Sequence, residues 1–291
     1  MVEWRLEELA AGVFTRVGAH PLQPNSGVVL GERGVLVVDS GYSAAAGREL
    51  LADIRRITPL PVTHVVISHH HFDHAWGNQV FEQAEVVGHV NAQSNMLCET
   101  ESYKQRIIAF APTAAQWYGL AAEDLAGQLA ETRVTAPKSS FDETMTVDLP
   151  GHQVELLHFG AGHTTGDTLV YLPSSRVLFG GDLICNHVLP NALDGDPLHW
   201  PDVLQQVDLL DITTVVPGHG AVGPRSVIDD FRRCLGSLTD EVGRALDDGA
   251  PDPRSAGERL HLDDFAGWAG HELLPGTVRA TYRALQQSRG R

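Results

Sequence analysis

Apolar positions along this chain fall into short β-branched runs, broken by turns rich in glycine, proline and small polar residues. Residues 13–17, 27–30 and 35–38 read as three strands, with Gly-Glu-Arg-Gly at 31–34 as the hairpin turn between the last two. The pattern then changes period. Ser43 can cap a helix through Ala-Ala-Ala-Gly-Arg-Glu-Leu-Leu-Ala-Asp-Ile-Arg-Arg-Ile, in which Leu50, Leu51, Ile54 and Ile57 make an apolar stripe at helical spacing, and Pro59 and Pro61 end it. Further strands are expected at 62–67, 84–89, 154–159, 168–172, 177–179 and 214–216, with a short helix opening at Ala75. Alternating strands and helices in both halves predict an α/β fold, an αββα sandwich of two mixed β-sheets flanked by helices.

Two stretches depart from this rhythm. Residues from about 91 to 142 interrupt the strand pattern with helices and turns carrying Met96, Tyr103, Phe110, Trp117 and Tyr118. From about residue 221 the chain is largely helical, with a proline-rich break at 247–255. The expected division is a catalytic domain over 1–223, with a helical insertion at about 91–142, and a helical C-terminal extension over 224–291.

The strand ends carry the chemistry. The run 62–67 leads straight into His69-His70-His71-Phe72-Asp73-His74, four imidazoles and a carboxylate within one turn. His69 and His71, one residue apart in an extended loop, face the same side and can share a metal, while Asp73 and His74 can hold a second. Imidazole nitrogen with carboxylate oxygen suits Zn²⁺, with iron and manganese as competitors. Three later segments repeat the grammar of a short strand, a small-residue turn and then a donor: His163 after 154–159, Asp182 after 177–179 and two glycines, and His219 after 214–216.

The order HxHxDH followed by His163, Asp182 and His219 resembles the metallo-β-lactamase-fold superfamily of metallohydrolases. The likeness covers residues from about 13 to about 223. It implies that His69, His71 and His163 hold a first metal, that Asp73, His74 and His219 hold a second, and that Asp182 bridges the two. It also implies that Asp39, in Val-Leu-Val-Val-Asp-Ser-Gly, lies beneath the metal loop, and it gives His70 no role. Two Zn²⁺ ions with these seven ligands keep residual positive charge, which suits attack of a bridging hydroxide on a carbonyl. Asp73 and Asp182 are then the carboxylates expected to take part in catalysis.

Charge narrows the substrate. Lys and Arg number 21 against 37 Asp and Glu, a formal net charge of −16. Such a surface repels phosphate backbones, so neither nucleic acid nor the nuclease branch of the superfamily is expected. No apolar run approaches a membrane span, no basic and apolar leader is visible at the start, and Cys98, Cys185 and Cys234 are odd in number and widely spaced. Together these features give the expectation of a cytoplasmic protein with free thiols and no membrane partner.

Asp182 and Cys185 stand where one large group of true β-lactamases has cysteine and lysine. The full ligand set is similar to that of glyoxalase II-type thioesterases, although their basic glutathione site is not found in the tail. The segments FDHAWGNQVF, VLFGGDL, VIDDFRRCL and RATYRAL resemble the group that includes actinomycete aromatic polyketide cyclases and thioesterases. The expected function is therefore a dinuclear zinc hydrolase of a thioester, ester or lactone, with a small acyl substrate that a carrier could present. A polyketide cyclase, a β-lactamase-like hydrolase and an iron-dependent sulfur dioxygenase stay open as alternatives, and so does a homodimer. Trp76, Asn186 and His187, which follow directly on the ligand loops, are expected to line the mouth of the site with Trp117 and Tyr118.

Overall fold

The computed structural model describes residues 6–99 and 101–289, so the stretch read for a leader lies partly outside the described residues, at 1–5. Two sheets stack face to face. The first runs in the order β1 (Glu7–Ala10), β2 (Val13–Arg16), β3 (Ser26–Leu30), β4 (Val35–Val38), β5 (Val62–Val66), β6 (Glu85–His89) and β7 (Ser139–Phe141). Its first four strands are antiparallel neighbours, while β4 to β7 run parallel. The second sheet comprises β8 (Thr144–Leu149), β9 (His152–Leu157), β10 (Leu169–Leu172), β11 (Val177–Gly181), β12 (Thr214–Pro217) and β13 (Gly223–Pro224), in the reverse spatial order β13 to β8. Only β11 and β12 are parallel in it.

Strand alternation sorts the core into layers. Leu36 and Val38 of β4 point between the sheets, where they meet Val154, Leu156, Val170 and Phe179. Val35 and Val37 of the same strand point outward onto Leu50 and Ile54 of helix α1 (Ala44–Ile57). The Ser43 hydroxyl caps that helix by accepting from the Ala46 N–H at 3.1 Å, an interaction typically worth about 1 kcal/mol. α1 therefore has the expected limits, and the predicted α/β sandwich is the fold observed.

The ligand-bearing turn continues into helix α2 (Phe72–Ala75) and a 3₁₀ turn at Trp76–Phe81. The insertion forms α3 (Val90–Cys98), α4 (Glu101–Tyr118) and α5 (Ala122–Glu131). It does not stay helical to residue 142: the chain rejoins the first sheet at β7, which pairs with β6. On the far side, α6 (Trp200–Gln206) and α7 (Ser226–Asp247) cover the second sheet through Trp200, Ile228 and Phe231. α8 (Pro253–Gly257) and α9 (Leu274–Arg289) then pack with the C-terminal half of α7 around Leu238, Val242, Val278 and Tyr282. No helix among the described residues is long and apolar enough to cross a membrane. All three cysteines are free.

Candidate metal centre

Seven side chains converge where the ends of the two sheets meet. His69, His71, Asp73 and His74 come from the loop and short helix after β5, while His163, Asp182 and His219 follow β9, β11 and β12. Donor atoms of His69, His71 and His163 lie within 4.8 Å of one another, as do those of Asp73, His74 and His219, and those of His69, His74 and Asp182. Asp182 stands between the first two groups. Its Oδ2 is 3.5 Å from His163 Nε2 and 3.4 Å from His219 Nε2, and its Oδ1 is 3.2 Å from His74 Nε2. Ligands about 2.0–2.1 Å from a tetrahedral ion stand roughly 3.3 Å from each other, so these spacings fit a metal cage.

Outer hydrogen bonds decide which nitrogen of each imidazole faces inward. A carboxylate or carbonyl oxygen can only accept, so the ring atom bonded to it carries a proton and the opposite atom is the one free to face an ion once any proton there has left. His74 donates from Nδ1 to Asp39 Oδ2 at 2.7 Å, leaving Nε2 toward Asp182. The Ser68 hydroxyl donates to the same Asp39 oxygen at 2.8 Å, so its own oxygen accepts from His69 Nδ1 at 3.0 Å. His69 Nε2 is buried without a hydrogen-bond partner, as a ligand atom awaiting an ion would be. His71 is turned the other way round. Its Nε2 donates to Asp194 Oδ2 at 2.9 Å, and its Nδ1 faces His163 Nε2 at 2.9 Å. His163 donates from Nδ1 to the Asn191 carbonyl at 2.6 Å.

Backbone geometry makes room for this arrangement. Asp39 is fully buried at φ 60°, a left-handed conformation that Asp tolerates better than most residues. It also accepts from the Ser68 backbone N–H at 2.6 Å, which ties the metal loop to the end of β4. Gly181 turns the chain at φ 49°, and a Cβ there would stand 2.5 Å from Ser68 Cβ. A Cβ on Gly218 would meet Asp182 Oδ1 at 2.0 Å, so the approach of the His219 loop to Asp182 requires glycine. Asn25 fastens that loop from outside, donating from Nδ2 to the carbonyls of Pro217 and Gly220, both at 2.8 Å.

Charge separates His69 and His163 from the other three imidazoles of the site. His71 is among those three, because burial is outweighed by its hydrogen bond to Asp194, with Asp73 and Asp182 nearby, and it rises above the ordinary histidine range. Burial pushes His69 well below the ordinary histidine range, aided by the neighbouring imidazoles, and pushes His163 down to about 4. Burial alone would lower His74 and His219 too. The carboxylates outweigh it: Asp182, Asp39 and Asp73 raise His74 well above its ordinary value, and Asp182 and Asp73 raise His219 to about 9. At pH 7 the metal-free first group therefore offers lone pairs at His69 and His163, whereas His74 and His219 carry protons that an ion must displace. Loading should release protons from His74 and His219 in the second group, whose affinity should climb as pH rises toward about 9, and from His71 in the first. Calorimetric titration in buffers of different ionisation enthalpy reads this directly; loading without proton release at pH 7 contradicts it.

The mouth differs from expectation at Trp76. That side chain is fully buried rather than at the opening, because the turn from α2 into the 3₁₀ segment rotates it beneath the loop. There it packs edge-on against Phe72 and Tyr103, beside Glu99. Asn186 is engaged with the backbone, its Nδ2 donating to the Ala221 carbonyl at 2.8 Å, and His187 is exposed and rests on Trp268 of the C-terminal segment. Trp117 and Tyr118 do line a cleft of about 910 Å³, together with Tyr42, Arg16 and Gln23. Tyr118 packs against Tyr42 with ring centroids 4.1 Å apart and the ring planes tilted by 45°. Burial, with Asp73 and Asp182 close by, keeps its phenol protonated. None of the seven candidate ligands lines this cleft; its link to the second ligand group is Pro24, a wall residue that pairs with His219 through a backbone bridge.

Sequence reasoning passed over three supports. Asp194 and the Asn191 carbonyl hold His71 and His163 from an irregular loop with no strand before it. Asp167 is the third. It accepts from the N–H groups of Gly162 and Thr164 and from the Thr164 hydroxyl, shaping the turn that presents His163. The Asp four residues after His163 in Gly-His-Thr-Thr-Gly-Asp was its available signal.

Similarity to known proteins agrees with this geometry. The family model of the metallo-β-lactamase superfamily matches residues 19–219. The chain belongs to that superfamily. It is 26% identical over 278 residues to the linear primary-alkylsulfatase of Pseudomonas sp. (strain ATCC 19151), covering 82% of this chain and 52% of that protein. The chain thus spans about half the length of that relative. It is 24% identical over 211 residues to the type 2 metallo-β-lactamase of Bacillus cereus, covering 70% of each. The solved structure of a metallo-β-lactamase from Pontibacter korlensis superposes with a TM-score of 0.62 at 22% identity, over 80% of this chain and 99% of that one. These matched relatives are hydrolases by name, and the clustered donors here suit divalent metal.

Proposed function

We propose that this protein is a dinuclear zinc hydrolase that cleaves an ester-like bond, a thioester, ester or lactone, in a neutral or aromatic acyl substrate. The observation that carries the reading is the placement of Asp182 between two three-donor groups at one end of the sandwich. In this reading His69, His71 and His163 hold one ion, Asp73, His74 and His219 the other, and Asp182 both. Bound zinc supplies a Lewis acid and lowers the pKa of a coordinated water to about 7.

The chain's own groups account for the rest. Asp39, Asp194 and the Asn191 carbonyl fix the inward-facing nitrogens. Asp73 is the more exposed of the two site carboxylates, at 16% against 10% for Asp182, which favours it as the group that carries a proton to the leaving group. The Tyr118 hydroxyl stays neutral within reach of the charge of Asp73 and Asp182 and can bond the substrate carbonyl oxygen. Tyr42, Trp117 and Tyr118 give the acyl group an aromatic wall, and the acidic surface disfavours polyanions. Catalysis would lie in residues 1–223, with the insertion at 91–142 shaping the cleft and 224–291 supporting it.

The test is metal quantification followed by a panel of aryl thioesters, aryl esters, lactones, β-lactams, S-lactoylglutathione and alkyl sulfates. About two zinc per chain with aryl thioesters or esters preferred is expected. Tyr118→Phe should keep the metal content and the ring contact with Tyr42 while lowering kcat by roughly 10-fold or more. One iron per chain with oxygen uptake would overturn the hydrolase. Preferential cleavage of an alkyl sulfate would move the substrate to sulfate esters, the second reading, favoured by the alkylsulfatase match that covers 82% of the chain.

A further inference from the structure

The loop from Pro190 to Asp194 does two things at once. On its inner side it holds two ligand candidates by their outer nitrogens, His163 through the Asn191 carbonyl at 2.6 Å and His71 through Asp194 Oδ2 at 2.9 Å. It belongs to no helix or strand. Its far end is tied to the turn that presents His163 by an isolated bridge from Asp194 to Thr164 and by the Asp196 N–H, which donates to the Gly162 carbonyl at 3.0 Å, whereas the Pro190–Ala192 part lies away from those ties. A loop without secondary structure needs an external anchor to hold two imidazoles to a fraction of an ångström.

That anchor is the first turns of α9. Thr277 is buried, at 1% exposure, and its hydroxyl donates to the Pro190 carbonyl at 2.7 Å while accepting from the Ala192 N–H at 3.3 Å. One side chain thus brackets the peptide units on either side of Asn191. Next to it, Gly276 lets the helix close on the loop: a Cβ there would meet Leu193 Cδ2 at 2.7 Å. The anchor and the loop are more than 80 residues apart in sequence, the Thr277–Pro190 contact spanning 87.

We propose that α9 positions the first metal group, with Thr277 as a positioning residue acting through the 190–194 loop on His71 and His163. The C-terminal extension is then part of the machinery that shapes the first group, not merely a cover on the second sheet. This inference rests on the metal-site reading above. It predicts an effect confined to one group, because His74 and His219 owe their orientation to Asp39, Asp73 and Asp182 rather than to this loop.

The experiment is cobalt(II) titration followed by the absorption of the bound ion, in the full chain and in a His219→Ala background that leaves the first group as the main site. Thr277→Val keeps the side-chain shape and removes the hydroxyl. It should weaken cobalt binding at the first group by roughly 10-fold, the low end of the range for losing a direct outer partner of a ligating histidine because Thr277 acts one bond further out, and should alter the absorption band. Thr277→Ser should restore both. Asp194→Ala, which removes a half-exposed side chain bonded directly to His71, should give the same signature, and the double variant should fall short of the product of the two single effects. Thr277→Val with a lower Tm but first-group affinity within twofold of the parent would reduce α9 to packing and overturn the proposal. Parent protein that binds no cobalt would overturn it together with the metal-site reading beneath it, and that failure is visible before any variant is made.

Discussion

Asp182→Ala is expected to leave the fold standing and to remove nearly all turnover. The carboxylate lies between both donor groups, within 3.2–3.5 Å of His74, His163 and His219. Its loss takes a donor from each group at once. It also removes the charge that most strongly holds His74 and His219 in their protonated, paired state. With that attraction gone and burial still opposing charge, both imidazoles should fall toward neutrality, so the metal-free variant avoids stranded buried cations. The second ion should be lost or bound far more weakly, with kcat down by more than about 100-fold, beyond what loss of an outer support costs. Metal analysis and steady-state kinetics on the same preparation check this. Two tightly bound ions with near-parental kcat would show that Asp182 does not bridge.

Removing the metal from the parent protein is the second large effect. A strong chelator should abolish activity and Zn²⁺ should restore it. It should also lower thermal stability, since an ion that binds only the folded chain stabilises it by about 4 kcal/mol when free metal exceeds Kd by about 1,000-fold. At about 2–4 °C per kcal/mol for a domain of this order of size, Tm should rise by roughly 8–16 °C on reloading. The metal-free chain should still fold, because His74 and His219 are paired with Asp39, Asp73 and Asp182 when no ion is present. Full activity after exhaustive chelation, with Tm unchanged by zinc, would contradict the dinuclear reading.

Much of this architecture was legible because strands and ligands obey short-range rules. β-Branched runs ended at turns, and the turns carried the donors. Ser43 and Pro59 bounded α1 as local capping chemistry dictates. What escaped depends on partners distant in sequence. Asp194 gains its place only by meeting His71, 123 residues earlier, and nothing in Leu-Asp-Gly-Asp marks it locally. Trp76 follows His74 so closely that a place at the mouth was the natural expectation, yet the tight helical turn carries it to the opposite face of the loop. β1, a polar Glu-Glu-Leu-Ala edge strand, lacks the apolar alternation by which a strand is recognised, and β7 is only three residues long.

The division of the ligands between the two sheets also shapes the order of events in folding. His69, His71, Asp73 and His74 belong to the first sheet, and His163, Asp182 and His219 to the second, so neither half presents a complete donor set by itself. The site exists only after the sheets have docked, a long-range closure that comes late when loop entropy must be overcome first. An ion that enters after that step does little for the rate of folding. Held by both halves, such an ion would have to come away before the sheets could separate, so its main contribution would be to the barrier against unfolding, as a clasp between the two halves of the sandwich.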